Sequence, residues 1–213
     1  VAAVDADTAQ RAVDAIVVEY SPLPIVNDVV SAMAPGTTLV HEDWADYGAA
    51  EIMVRDRNDA SFSSIAKGDV DKGFAEADHI IRSHFESDGC HAAPIEPRAV
   101  VAQWEGNKVT IWTSTQVPFD ARAGVCETLE LPNNQVRVIV PHLGGGFGGK
   151  CGFHFEAHVA ALARTAKRPV RLVFSRREEF LAPDKRREGI VYDFETAVRC
   201  GIPISSRSAN ITP

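Results

Sequence analysis

The sequence predicts a mixed α/β fold, on three observations. Residues 136–140 and 170–174 are β-branched runs, and between them residues 153–167 show an apolar period near 3.6. Residues 99–104 and 108–114 also read as strands, and the Glu105-Gly106-Asn107 between them is a hairpin signal. Gly and Pro, 15 and 12 in 213 residues, fall between these runs as breaks.

The elements follow in order. Residues 1–20 read strand–helix–strand. Residues 1–4 are apolar, Asp7 or Thr8 can cap a helix over 9–15, and residues 16–20 are β-branched until Pro22 and Pro24 stop them. Residues 27–48 are looser, with a turn at Pro35-Gly36. Residues 55–68 are polar and read as a linker, which divides the chain into 1–54 and 69–213. A short capped helix over 68–78 and an alternating strand over 79–87 come next. Residues 118–129 fit a helix that ends before the turn Leu131-Pro132-Asn133-Asn134. The helix over 153–167 places Phe155, Val159, Leu162, Ala163 and Ala166 on one face; Lys167 and Arg168 suit its C-terminus and Pro169 ends it. Ser175-Arg176-Arg177-Glu178 is a capping-box pattern opening a short helix at Glu179-Phe180. Residues 190–198 alternate as a strand, and residues 206–213 fit no periodic element.

Composition narrows the function classes. Hydrophobic residues make up 45% and charged residues 24%, which excludes collagen, a long coiled coil and wholesale disorder. Lys plus Arg is 22 against 29 for Asp plus Glu, a net charge of -7 that disfavours nucleic acid as a partner. No run of 18 apolar residues suggests a membrane span. Cys90, Cys126, Cys151 and Cys200 form no C-x-x-C pair, so neither a zinc nor an iron–sulfur site is indicated. With no signal peptide, a reducing, cytoplasmic setting is expected. The sequon Asn210-Ile211-Thr212 carries no weight without one. The chain opens at Val1 on an apolar run and closes irregularly, so a piece of a longer protein is expected.

The loop Gly144-Gly145-Gly146-Phe147-Gly148-Gly149-Lys150 is the most informative segment. Glycines between a strand and a helix permit positive φ and close approach of another body, and free N–H groups at a helix start suit phosphate or oxo groups. Gly144-x-Gly146-x-x-Gly149 satisfies the dinucleotide fingerprint. The acid expected at the end of the next strand is replaced by Ser175 and Arg176. Gly144-x-x-x-x-Gly149-Lys150 satisfies most of a P-loop. Cys151 stands where a magnesium-binding Ser or Thr should follow. A packing loop without a ligand is the remaining alternative.

Four further segments accompany the loop: Cys90-His91-Ala92-Ala93-Pro94-Ile95-Glu96-Pro97, Trp112-Thr113-Ser114-Thr115-Gln116-Val117-Pro118, Arg168-Pro169-Val170-Arg171-Leu172, and Ser175 to Phe180. In this order the series resembles the large, molybdenum-binding subunit of the xanthine dehydrogenase and aldehyde oxidase family. Val17-Val18-Glu19-Tyr20-Ser21-Pro22-Leu23-Pro24 resembles the end of that family's small hammerhead-like α/β domain. The resemblance runs from Val1 to about Val198. It implies the end of that domain over 1–54 and the start of a molybdopterin-binding α/β domain over 69–213. It also implies a molybdopterin cofactor with molybdenum, often in the cytosine dinucleotide form, and hydroxylation of an aldehyde or heteroaromatic carbon with oxygen from water. Iron–sulfur and flavin (FAD) groups would sit on partner subunits.

The resemblance also implies roles. Gln116 matches the glutamine that hydrogen-bonds near an oxo ligand of molybdenum, and an amide N–H donates there without changing charge. Its ordinary alternative is a polar strand-end residue satisfying a turn. Gly145, Gly146, Phe147, Gly148 and Gly149 match the loop lying against metal and pterin, with Phe147 offering its backbone N–H; otherwise Phe147 is a core aromatic. Glu96 matches a position on the pterin side and reads chiefly as a loop-fixing acceptor. Cys151 replaces the glutamate that binds purine in the xanthine-oxidising branch. It lines the substrate pocket or is a small buried residue. The general-base glutamate is expected beyond Pro213, so the isolated chain is expected to be inactive.

Other constellations are weaker. His154 and His158 share a helical face, but the H-E-x-x-H pattern and the later P-C-x-x-C of deaminases are missing. Asp184 to Glu188 is a charge run that suits a solvated turn. A nucleotide-binding protein using the same loop, and a non-catalytic interaction module, are the alternative functions.

Overall fold

The computed structural model describes residues 1–46, 54–62, 64–152, 155–182 and 189–211. The helices and strands run α1 (Ala6–Asp14), α2 (Val29–Ala32), β1 (Val54–Asp56), β2 (Asp59–Phe62), α3 (Val70–Ala75), β3 (His79–Ser87), β4 (Ala99–Glu105), β5 (Lys108–Thr113), α4 (Pro118–Thr128), β6 (Val136–Ile139), α5 (Glu156–Ala166), β7 (Val170–Val173), α6 (Arg176–Leu181), β8 (Ile190–Arg199) and β9 (Ile202–Ile211). They group into two compact units: Val1–Tyr20 with Cys90–Arg187, and Ser21–Gly89 with Glu188–Pro213.

The first unit is built on a four-stranded sheet in the order β6-β5-β4-β7. β4 and β5 form the expected antiparallel hairpin, turned at Gly106 with φ +61, the backbone region that suits glycine at the first turn position. β6 lies parallel to β5, so the chain must cross over, and α4 makes that crossing. Pro118 opens α4 in its first turn, where a missing N–H costs nothing. Alternation along β4 and β5 puts Val100, Ala102, Val109, Ile111 and Thr113 on one buried face. There they meet Val125 of α4 and Ala157, Val159, Ala160 and Ala163 of α5.

α5 presents a different face from the one its periodicity suggests. Its buried residues are Glu156, Ala157, Val159, Ala160 and Ala163, while Leu162 and Ala166 are exposed. Small residues let the helix lie close on β4, and the indole N–H of Trp104 donates to the Ala160 carbonyl at 2.8 Å. That bond requires the alanine face to turn inward. Lys167 closes the helix in the left-handed region (φ 53), two residues before Pro169. The capping box at the start of α6 is complete: the Glu178 N–H donates to the Ser175 hydroxyl oxygen, and the Ser175 N–H donates to the Glu178 carboxylate.

The second unit holds the hairpin β1–β2 and an antiparallel sheet in the order β3-β8-β9. Residues 54–62, mostly inside the expected linker, therefore carry two short paired strands. The expected 68–78 helix is α3, capped by Asp69, whose carboxylate accepts the Lys72 N–H. α3 packs on β9 so closely that a side chain at Gly73 would overlap Ser205.

Two expectations about irregular and regular segments are reversed. The run from residue 206, expected to be aperiodic, belongs as far as Ile211 to β9, because Cys200 and Gly201 (φ 52 and 77) make a tight turn that folds the chain back on β8. Conversely, residues 1–4 and 16–20 are not strands, since neither finds a pairing partner among the described residues. α1 starts earlier than expected, with Asp5 rather than Asp7 or Thr8 as its cap; the Asp5 carboxylate accepts the Thr8 N–H at 2.7 Å. His154, the charge run 184–188 and Thr212 of the sequon lie outside the described residues.

Candidate functional site

Three segments of the first unit converge at the glycine loop. The first is the 90–98 segment, the second is Thr115-Gln116 after β5, and the third is the loop itself after β6. β5 and β6 are adjacent and parallel, so their C-terminal ends bring Gln116 and the loop to one edge of the sheet.

Gln116 is held at both ends. Its backbone N–H donates to the Lys150 carbonyl at 3.0 Å, and its side-chain Oε1 accepts the N–H of Gly148 at 3.0 Å and of Lys150 at 3.2 Å. The Thr115 hydroxyl donates to the same Lys150 carbonyl. Two donors on Oε1 fix the orientation of the amide, which leaves Nε2 as its free end. Nε2 has no hydrogen-bond partner among the described residues, and Gln116 is only partly buried.

The loop is bent by left-handed backbone at three residues: Gly145 has φ +95, Phe147 φ +51 and Gly148 φ +88. The N–H groups of Gly145, Gly146 and Phe147 have no partner among the described residues, whereas those of Gly144, Gly148, Gly149, Lys150 and Cys151 are bonded. A Cβ at Gly146 would overlap the Gln116 amide, and one at Gly144 would overlap Glu96. Phe147 is not a core aromatic: it is 78% exposed. The free N–H groups are also not at a helix start, because α5 begins only at Glu156, six residues after Lys150.

Two ion pairs hold the loop, one of them buried on both sides and the other only at its lysine, and neither was expected from the sequence. Lys150 is fully buried, and its Nζ donates to Glu96 at 2.7 Å; the same Glu96 oxygen accepts the Gly144 N–H at 2.8 Å. Burial, the largest influence, pushes the Glu96 carboxyl up. The bonds from Lys150 and Gly144, with the charge of Lys150, outweigh it and hold the group below its ordinary value. Arg98 pairs with Glu179, both buried, and its guanidinium also donates to the Gly149 carbonyl. His91 meets the Glu179 carbonyl at 3.0 Å. The signals were the Glu96-Pro97-Arg98 string and the second glutamate of the capping-box helix. The partners lie 54 and 81 residues apart, beyond any local pattern.

Cys151 is half-buried, and its N–H closes a turn onto the Gly148 carbonyl at 3.1 Å. All four cysteines are free thiols. Among the described residues no group of three His, Cys, Asp or Glu side chains stands ready to hold a metal. No helix among them is long and apolar enough to cross a membrane. The site is thus a face of hydrogen-bond donors (Gln116 Nε2 and three backbone N–H groups) beside an exposed aromatic ring. Such donors can serve an acceptor-rich ligand.

The molybdopterin cofactor-binding domain family matches residues 54–200. The chain belongs to this family and is similar to the large, molybdopterin-binding subunits of the xanthine dehydrogenase group. It is 32% identical over 187 residues to the nicotinate dehydrogenase large molybdopterin subunit of Eubacterium barkeri, covering 87% of this chain and 41% of the relative. It is 43% identical over 111 residues to the aldehyde oxidoreductase molybdenum-binding subunit PaoC of Escherichia coli O157:H7, covering 51% of this chain and 15% of the relative. Among solved structures, quinoline 2-oxidoreductase from Pseudomonas putida 86 aligns with a TM-score of 0.78 and 27% identity, over 96% of this chain and 25% of that one. Reconstituted CO dehydrogenase from Oligotropha carboxidovorans aligns with a TM-score of 0.81 and 25% identity, over 96% and 26%. The chain therefore spans less than half the length of these relatives.

Proposed function

We propose that this chain is the molybdopterin-binding part of an oxidoreductase that hydroxylates an aldehyde or an N-heteroaromatic carbon with oxygen from water. The observation that carries the reading is the Gln116 amide, pinned through Oε1 so that Nε2 is left to donate. The residues fit the group. Its oxo and phosphate oxygens are acceptors, and the loop has unbonded backbone N–H groups at Gly145, Gly146 and Phe147 to donate. Glycine at 146 keeps clear the space that the amide occupies. Molybdopterin, when bound, supplies the redox chemistry and the metal. Gln116 would hold an oxo ligand through Nε2, and Gly145, Gly146, Phe147, Gly148 and Gly149 would form the wall against metal and pterin. The backbone N–H of Phe147 would act as a second donor, and Cys151 would line or underlie the substrate pocket.

The finer points belong to the same proposal. The cofactor is the cytosine dinucleotide form, and iron–sulfur and flavin groups sit on partner subunits in the cytoplasm. The substrate is a small aldehyde or N-heterocycle. The relatives' names point the same way, with nicotinate, quinoline and an aldehyde among them. Cys151, where the purine-oxidising branch carries glutamate, speaks against xanthine. Residues 1–54 would close a small hammerhead-like domain, and 69–213 would open the cofactor domain after the 55–68 segment. A nucleotide-binding reading is disfavoured, because Lys150 is buried against Glu96 and has no reach toward a phosphate.

The test uses the full-length enzyme. Gln116→Glu keeps an oxygen to accept the Gly148 and Lys150 N–H groups and removes the amide donor. Loss of one preorganised donor lowers kcat by about 10²-fold. Absence of molybdenum from the full-length protein, or unchanged turnover in Gln116→Glu at equal metal content, overturns the reading.

A further inference from the structure

The lysine of the glycine loop faces away from the ligand side, and its partner is the point of interest. Lys150 is 0% exposed and Glu96 partly exposed, and one oxygen of Glu96 accepts from both Lys150 Nζ and the Gly144 N–H. The Glu96 N–H returns a bond to the Gly144 carbonyl at 3.2 Å. The backbone N–H and carbonyl of Lys150, in turn, bond Gln116 Oε1 and the Gln116 N–H. A continuous path therefore runs from the first glycine of the loop through Glu96 and Lys150 to the Gln116 amide.

We infer that Glu96 is a positioning residue for the molybdenum ligand sphere, acting through Lys150 on the orientation of Gln116. This rests on the functional reading above. A buried ammonium demands a paired carboxylate, and geometry inside a low-dielectric site leaves it one place to sit. Fixing Lys150 Nζ on Glu96 fixes the Lys150 backbone. The Lys150 backbone is half of what holds the amide, and the Gly148 N–H is the remainder. Glu96 also clamps Gly144, so both ends of the loop are tied to a single carboxylate. A glutamate serving the loop only as a turn acceptor would need the Gly144 bond and no lysine.

The experiment compares the full-length molybdenum-loaded enzyme with Glu96→Gln and with the double variant Glu96→Gln/Lys150→Met. Glu96→Gln keeps an acceptor for Gly144 but leaves the ammonium buried without its counter-charge. The double variant removes that charge as well, which keeps the protein foldable while the path stays cut. The readouts are molybdenum per protein, the Mo(V) EPR spectrum, and kcat and KM per bound molybdenum. The expected result for the double variant is molybdenum retained, a shifted Mo(V) spectrum, and kcat per molybdenum lowered at least tenfold with KM within about twofold. Glu96→Gln should show the same spectral shift where it retains metal. Spectrum and kcat per molybdenum equal to wild type in the double variant overturn the inference. So does loss of molybdenum in both variants, which makes the pair a general stability element. Absence of molybdenum from the wild-type enzyme is a separate result, and it fails the functional reading instead.

Discussion

Phe147 holds a left-handed backbone (φ 51) that a residue with a Cβ enters only at a cost of about 1 kcal/mol or more. Its ring is left in the open and lies over Gly145. A strained, exposed aromatic in a loop of glycines gains nothing for the core, and the proposed function gives it a ligand to meet. Phe147→Gly should relieve the strain and keep the backbone N–H, so thermal stability of the protein stays level or rises. Loss of the ring should raise KM for substrate in the full-length enzyme several-fold. Gly146→Ala should do the opposite: the new methyl drives the Gln116 amide off its two N–H donors, and pterin retention falls. Melting temperature, cofactor content and KM separate the two outcomes, and equal behaviour of the two variants counts against this assignment of roles.

The same scale shows what a sequence carries. Gln116 and the loop were legible because their motifs are contiguous and their order along the chain is specific. Glu96 was legible as an acceptor, since a glutamate between prolines has a fixed backbone. That its bond partner is Lys150, or that Arg98 meets Glu179, is settled by packing among residues far apart, and no local pattern encodes it. For Phe147 the exposed ring removes the alternative of a core aromatic and leaves the loop reading open.

Among elements, the β3–β8–β9 sheet is tied by charge more than by burial. Glu195 on β8 accepts from Arg82 of β3 at 2.6 Å and pairs with Arg207 of β9, and Asp193 on β8 bonds His84 of β3 at 2.7 Å. The bonds from Arg207 and Arg82 hold Glu195 below its ordinary value, while Asp193 and then Glu86 hold His84 above its ordinary 6.5. A lowered carboxyl contributes stability that is complete above its unfolded value near 4.5 and lost as pH falls through the folded one. A raised histidine contributes stability that is complete below 6.5 and lost as pH rises through the folded value. Amide exchange in β8 should therefore be slowest at mildly acidic pH and quicken on both sides, after correction for intrinsic rates. Glu195→Gln should remove the acid limb and His84→Ala the alkaline one; limbs that persist in these variants would reject the assignment.

Elements also differ in how plainly they are written in the chain. The capping box at Ser175 and the Gly106 turn were visible because each is a local bargain between neighbours. Strands are not local. Residues 1–4 and 16–20 have strand-like composition and no strand partner among the described residues, whereas 202–211 have a partner brought by the Cys200-Gly201 turn. On α5 the expected face is buried at Val159 and Ala163 but rotated away at Leu162 and Ala166, because close approach to β4 favoured alanines.

At the scale of the whole molecule, the family is shown and the chain spans less than half the length of its relatives. Val17, Tyr20, Leu23 and Ile25 are each more than 80% exposed, a run of bare apolar side chains on one short stretch. Exposed apolar surface of this kind drives association. The isolated 213-residue chain should therefore self-associate. Sedimentation checks this, and a monodisperse preparation refutes it.

The inward lysine has a further consequence, concerning ionic strength. A phosphate-gripping loop that shares the Gly-x-x-x-x-Gly-Lys string points its ammonium at the ligand, and salt competes with that attraction. Here residues 144–149 bear no charge, and the ammonium of Lys150 is sealed against Glu96 behind them. What the loop offers outward is dipoles alone. Under the proposed function, binding of an anion there should fall less with added salt than binding to a nucleotide loop of nearly the same spelling.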